Sequence, residues 1–123
     1  MNSKKNNLIT GKQAEDKAFL FLKQNGLKPL DRNYRAPVGE IDLIMKDDDI
    51  IVFIEVRART SNHMVSALET IDKHKCSRII QTSQHYLQKH ATNKRSICRF
   101  DVVLFSGPLE SAKVEWIKNA FEA

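Results

Sequence analysis

Three stretches of this 123-residue chain carry side chains fit for metal and phosphate chemistry. Glu40 and Asp42 stand two apart in GEIDLI, and Glu55 and Arg57 stand two apart in FIEVR. Residues two apart on a strand share a face, so each stretch offers a pair on one side. Glu15 supplies a third carboxylate from an earlier segment. Hard oxygen donors of this kind suit Mg²⁺ or Mn²⁺. Such an ion polarises a phosphate oxygen and activates a bound water, which is the chemistry of phosphodiester hydrolysis. A neighbouring cation stabilises the charge that develops on phosphorus, and Arg57 beside Glu55 is placed for that role.

The elements that must position these groups are legible in outline. Glu40 to Met45 begins with alternating charged and apolar residues. Ile50 to Val56 is an apolar, β-branched run, the mark of a central strand covered on both faces. Lys46 to Asp49 is polar and short, so the two runs form an antiparallel hairpin. A two-residue loop at Asp47-Asp48 or Asp48-Asp49 sets Glu40 opposite Glu55 or Arg57, and Asp42 opposite Phe53 or Glu55. Either register brings Asp42 and Glu55 to one face, roughly 5–8 Å apart. Two carboxylates that close repel unless a cation or proton sits between them. Glu55 also follows five apolar residues, and a charge at the end of a buried strand needs a partner or a task.

Glu15 lies on a predicted helix. Thr10 and Gln13 have capping-box spacing, Gly26 supplies a left-handed stop, and Ala14, Ala18, Phe21 and Leu22 form one stripe. Glu15 lies on or beside that stripe, where an unpaired acid is costly. Asp16 lies round the helix, toward solvent. Each acid has a plain structural alternative. Glu55 and Arg57 could be an ion pair, Glu40 a turn residue beside Gly39, and Glu15 a partner of Lys12 or another base. What favours chemistry is the joint pattern of three acids and a base converging from a helix and a hairpin.

The remaining chain reads as follows. Leu27 to Tyr34 is a short strand, broken at Pro37 and Gly39. Arg57 to Thr70 is irregular. A second helix follows, capped by Asp72 or Thr70, with Cys76, Ile79, Ile80, Ser83 and Leu87 inward. Phe100 to Phe105 and Lys113 to Ile117 are strands, with Trp116 packing on the sheet. The order α-β-β-β-α-β-β predicts a mixed central sheet flanked by helices, in the α/β or α+β class. Residues 1–9 read as a flexible tail and residues 10–123 as one domain.

Net charge is +5 and the pI is near 9.3. The distribution matters more than the total. From Lys73 to Phe100 there is no Asp or Glu, while Lys73, Lys75, Arg78, Lys94 and Arg95 all fall inside the stretch. A one-signed block attracts phosphates, so nucleic acid is the expected partner. No apolar run approaches the roughly 20 residues that span a bilayer, so no membrane role and a cytoplasmic setting are expected. Cys76 and Cys98 have neither zinc nor CxxC spacing and read as reduced thiols. Asp47-Asp48-Asp49 lacks the spacing of a calcium loop and reads as a solvated turn. His63 reads as a surface histidine, and Tyr34 and Tyr86 as packing residues rather than stacking platforms.

The segments GKQAE (Gly11–Glu15), RNYR (Arg32–Arg35), GEIDLI (Gly39–Ile44), FIEVR (Phe53–Arg57) and RFDVV (Arg99–Val103) resemble the YraN-like family in order and spacing. The likeness runs from about Gly11 to Phe121. That family is similar in pattern to the PD-(D/E)XK nuclease superfamily, especially archaeal Holliday-junction resolvases. The resemblance implies a restriction-endonuclease-like αβββαβ core with a metal site. By it, Glu15 is the helix carboxylate, Asp42 the acid of the PD position and Glu55 the acid of (D/E)XK. Lys75 matches a basic position facing phosphate, and Asp101 a position without an assigned role that reads as structural. Glu40 matches a position without an assigned role. DNA is the implied substrate, with branched or otherwise structured forms among the candidates, and a symmetric homodimer would match a two-fold junction. The chain departs from the motif in two places. Ile41, not proline, precedes Asp42, and Arg57 replaces the motif lysine. A buried lysine can lose its proton and help activate water, whereas arginine cannot. The rival reading is therefore a non-catalytic nucleic-acid-binding module with a relict acidic site.

Overall fold

The structure, a computed structural model, describes residues 9–59, 71–90 and 97–123. Helix α1 spans Gly11–Gln24. It starts at a full capping box: the Thr10 hydroxyl accepts from Gln13 N, and Gln13 Oε1 accepts from Thr10 N. It ends at Asn25, followed by Gly26 at φ +96°, the left-handed geometry that glycine adopts without penalty. Strands β1 (Lys28–Ala36), β2 (Gly39–Asp47) and β3 (Ile50–Arg59) form a meander. Helix α2 (Lys73–His90) crosses to β4 (Ile97–Ser106), and a 3₁₀ turn (Leu109–Ser111) leads into β5 (Lys113–Phe121).

The five strands form one sheet in chain order. Every neighbouring pair is antiparallel except β3–β4, which is parallel. A parallel pair needs a long crossover, and α2 lies within it. Val52 and Ile54 pack in a cluster with Ala14, Ala18 and Leu22 of α1. Phe53, between them, packs in a second cluster with Ile79 and Tyr86 of α2. Successive strand residues point to opposite faces, so one helix covers each face of the sheet. The expected α/β class, mixed sheet and element order are all present.

Several boundaries differ from expectation. Ile9, assigned to the tail, packs against the α1-side cluster. The segment expected to be irregular from Arg57 starts as strand, because Arg57, Ala58 and Arg59 continue the ladder with Leu104, Phe105 and Ser106. Residues 60–70, including His63 and Thr70, lie outside the described set, as do 91–96 with Lys94 and Arg95. Asp72 does cap α2, its Oδ1 accepting from Lys75 N at 2.8 Å. The inner face of α2 is rotated from the expected stripe: Ile79, Thr82, Ser83 and Tyr86 are buried, while Cys76, Ile80 and Leu87 are half-buried. The Thr82 and Ser83 hydroxyls donate to Arg78 O and Ile80 O, which lets polar residues sit inward. Cys76 and Cys98 are free. Among the described residues no helix is long and apolar enough to cross a membrane.

Candidate functional site

The β2–β3 hairpin turns at Asp48-Asp49, with Asp48 at φ +55°. Its ladder runs from Asp47↔Ile50 to Leu43↔Ile54. Continued by one step, that register faces Asp42 toward Glu55, and there the ladder stops. The Asp42 side chain replaces it, Oδ2 accepting the Val56 N–H at 2.8 Å. Side-chain alternation on β2 also breaks here. Ile41 and Ile44, three apart, both lie in the α2-side cluster, while Leu43 lies in the α1-side cluster. The strands thus part at the acids. Asp42 comes to line a cavity of about 340 Å³ together with Glu15, Asn33, Glu40 and Val56.

Glu55 is 6% exposed. Its Oε2 lies 3.1 Å from Arg57 Nε and 3.8 Å from Lys75 Nζ of α2. Burial pushes its carboxyl up to about 7, and the adjacent Asp42 charge adds to the rise, while Lys75 and Arg57 act in the opposite direction. Burial also raises Asp42, with help from the Glu15 and Glu40 charges; the Val56 N–H and Lys75 partly offset it. Two adjacent carboxyls in a buried setting favour a shared proton or a cation. The register that sets Asp42 against Glu55 is one of the two expected.

Glu15 is buried, as its place on the stripe predicts, and the base that pairs with it is Arg32 of β1, not Lys12. Arg32 Nη2 donates to Glu15 Oε1 at 2.8 Å and to Asp16 Oδ1 at 2.7 Å, and Asn33 Nδ2 donates to Glu15 Oε1 at 3.1 Å. Asn33 is left-handed at φ 53°, a conformation asparagine tolerates better than most residues. Lys12 pairs with Asp16 at 3.6 Å. Asp16 is therefore held rather than simply solvated, and the Arg32 hydrogen bond lowers its pKa. Among the described residues no group of three or more His, Cys, Asp or Glu side chains gathers tightly enough to hold a metal ion. Asp42 and Glu55 form an adjacent pair, and Glu15 stands on the wall of the cavity that Asp42 lines, engaged by a guanidinium and an amide.

The cations sort themselves by geometry. Arg57 Nε is buried and close to Glu55, yet forms no hydrogen bond. Lys75 reaches Glu55 from the other layer. Arg78 is exposed one turn further along α2, and Lys73 is exposed at its start. Glu40 lines the cavity and lies 3.6 Å from Arg35 Nε. The Tyr34 hydroxyl hydrogen-bonds His85 Nδ1 at 2.6 Å, and its ring packs edge-on to Tyr86, which commits both tyrosines to packing. Asp47 pairs with Arg99 at 3.2 Å. Asp101 is fully buried and accepts from Arg99 Nε, Arg99 Nη2, Trp116 Nε1 and Asn119 N at 2.9–3.0 Å. It ties β5 to β4 and belongs to the scaffold.

The profile of the uncharacterised protein family UPF0102 matches residues 14–105. The chain is similar to a UPF0102 protein of Nitrosomonas europaea, 48% identical over 112 residues, 91% of this chain and 92% of that one. A UPF0102 protein of Methylococcus capsulatus is 42% identical over 94% of this chain and 92% of its own. One from Legionella pneumophila is 42% identical over 92% of this chain and 94% of its own.

Proposed function

The chain belongs to the uncharacterised protein family UPF0102, and on that premise we propose that it is a metal-dependent nuclease-like protein hydrolysing DNA phosphodiesters on a PD-(D/E)XK, restriction-endonuclease-like core. The observation that carries the reading is the buried Asp42–Glu55 pair at the point where β2 and β3 part, with cations beside it.

The donor set suits a hard divalent ion. Two adjacent carboxyls with raised affinity for positive charge fit Mg²⁺ or Mn²⁺. Asp42 and Glu55 would hold it, and when bound it supplies a polarised phosphate oxygen and an activated water. The rest is this chain's own work. The Val56 N–H fixes the Asp42 carboxylate. Arg57 contributes a permanent charge beside Glu55, and Lys75 a compact ammonium from α2. Glu15, held by Arg32 and Asn33, shapes the far wall of the cavity. The surface of α2 with Lys73, Lys75 and Arg78 attracts the phosphate backbone. Preference for branched DNA, a symmetric homodimer and a cytoplasmic setting extend this reading by analogy.

A second reading keeps the binding and drops the turnover: a nucleic-acid-binding module with a relict acidic site. Arg57 in the lysine position and the engagement of Glu15 by Arg32 favour it. The discriminating experiment incubates junction, flap and linear DNA with Mg²⁺ or Mn²⁺, comparing the intact chain with Glu55→Ala. Cleavage lost in the variant supports the nuclease. Salt-sensitive binding without cleavage by either chain supports the module. No DNA binding at all overturns both.

A further inference from the structure

A second cavity, of about 480 Å³, opens between the β1–β2 turn and α2. Its size is that of a pocket for one small ligand. Arg35, Lys75 and Arg78 line it against a single acid, Glu40, and Pro37 and Val38 form an apolar wall. Val38 is 43% exposed at the tip of that turn. Among the described residues Arg78 has no ion-pair partner, and Arg35 sits loosely against Glu40, at 3.6 Å between exposed side chains. The walls are held firmly. A Cβ on Gly39 would meet Thr82 Oγ1 at 3.0 Å, so the turn and helix touch there. Thr82 in turn donates to Arg78 O.

The cavity adjoins the acidic site through two shared residues. Glu40 lines both cavities, and Lys75 lines this one while reaching Glu55 at 3.8 Å. Three cations beside an apolar wall match one nucleotide, with its phosphate on the cations and its sugar and base against the wall. A cavity of this volume is far too small for a duplex.

We propose that the cleft between the β1–β2 turn and α2 seats a single nucleotide of an unpaired DNA strand, its phosphate held by Arg35, Lys75 and Arg78 and its base side against Pro37 and Val38. The proposal rests on the nucleic-acid reading above and names the substrate class it takes: a strand unpaired next to the acidic pair.

The test is fluorescence anisotropy of a labelled oligothymidylate in EDTA, across a salt series, so that cleavage plays no part. Arg35→Ala/Arg78→Ala is compared with Lys17→Ala/Lys28→Ala, which removes the same charge from exposed sites elsewhere. All four side chains are exposed, so both variants fold. The cleft variant binds about ten-fold or more weakly, and its salt slope flattens by about 0.7 for each phosphate that is no longer neutralised. The control changes far less. Val38→Ser weakens binding a few-fold with the salt slope unchanged. Equal weakening in cleft and control variants overturns the proposal, since diffuse charge would then suffice. No binding by the intact chain overturns both this proposal and the nucleic-acid reading. Cleft-dependent binding without cleavage in Mg²⁺ sustains this proposal while the nuclease reading falls.

Discussion

The Asp42 carboxylate accepts the backbone N–H of Val56 at 2.8 Å, standing in for the strand partner that β3 would otherwise need. One side chain thus ends the ladder and furnishes half of the acidic pair.

That double duty separates two substitutions. Asp42→Asn keeps an acceptor for Val56 and removes a buried charge. Asp42→Ala leaves the N–H unpaired, at a cost of about 1–3 kcal/mol. Urea unfolding at pH 7 without metal is expected to find Asp42→Asn at least as stable as the intact chain and Asp42→Ala clearly weaker. Equal stability of the two variants would refute the structural half of the assignment.

Stability should depend on pH through Glu55. Its pKa is about 7 in the folded chain against 4.5 ordinarily. Between those values the folded state holds a proton that the unfolded state has released. The contribution is therefore full below about pH 4.5 and declines as pH rises toward 7, by about 3 kcal/mol at most. The difference between the intact chain and Glu55→Gln isolates it. Adding Mg²⁺ at neutral pH should raise the melting temperature of the intact chain and leave Glu55→Gln nearly unmoved.

Lys75 and Arg57 both flank Glu55, but they are not equivalent. Arg57 Nε approaches to 3.1 Å without a hydrogen bond, and Lys75 brings three rotatable donors from α2. On the nuclease reading, Lys75→Met lowers kcat/KM about 100-fold or more, because Lys75 both flanks Glu55 and lines the phosphate cleft. Arg57→Lys, which keeps the charge, costs less than about ten-fold. Single-turnover cleavage assays decide. A larger loss at Arg57 than at Lys75 would refute the expectation that Lys75 is the more demanding of the two positions.

Arg32 holds Glu15 and Asp16 through a single nitrogen. Arg32→Met leaves the buried Glu15 carboxylate with only Asn33, at an expected cost of about 2–4 kcal/mol. Arg32→Met combined with Glu15→Gln should recover most of that loss, because the amide needs no counter-charge. Thermal unfolding of the four chains in the cycle measures the coupling.

Much of the scaffold is legible in the chain. The capping box at Thr10, the stop at Gly26 and the hairpin about Asp48 rest on local chemistry, and local chemistry can be read residue by residue. So can the proximity of Asp42 and Glu55, because a two-residue turn leaves few registers. Which base pairs with Glu15 is hidden, because Arg32 reaches it from another element, and so is the Asn33 contact, which comes from a left-handed backbone. The extension of β3 past Arg57 is hidden for a similar reason: it follows from a parallel neighbour far along the chain. The asparagine within RNYR is the available signal, since asparagine is enriched at positive φ.

The parallel pairing of β3 with β4 has a consequence for the order of assembly. The carboxyls of Asp42 and Glu55 sit on one tight hairpin and meet through a short loop closure, whereas Lys75 arrives on the crossover between distant strands. Local pairings form early and long-range ones late. On that order of assembly, the chain would meet the mutual repulsion of its acids before the relieving ammonium is in place. A folding rate that rises as those acids are protonated would be its kinetic trace.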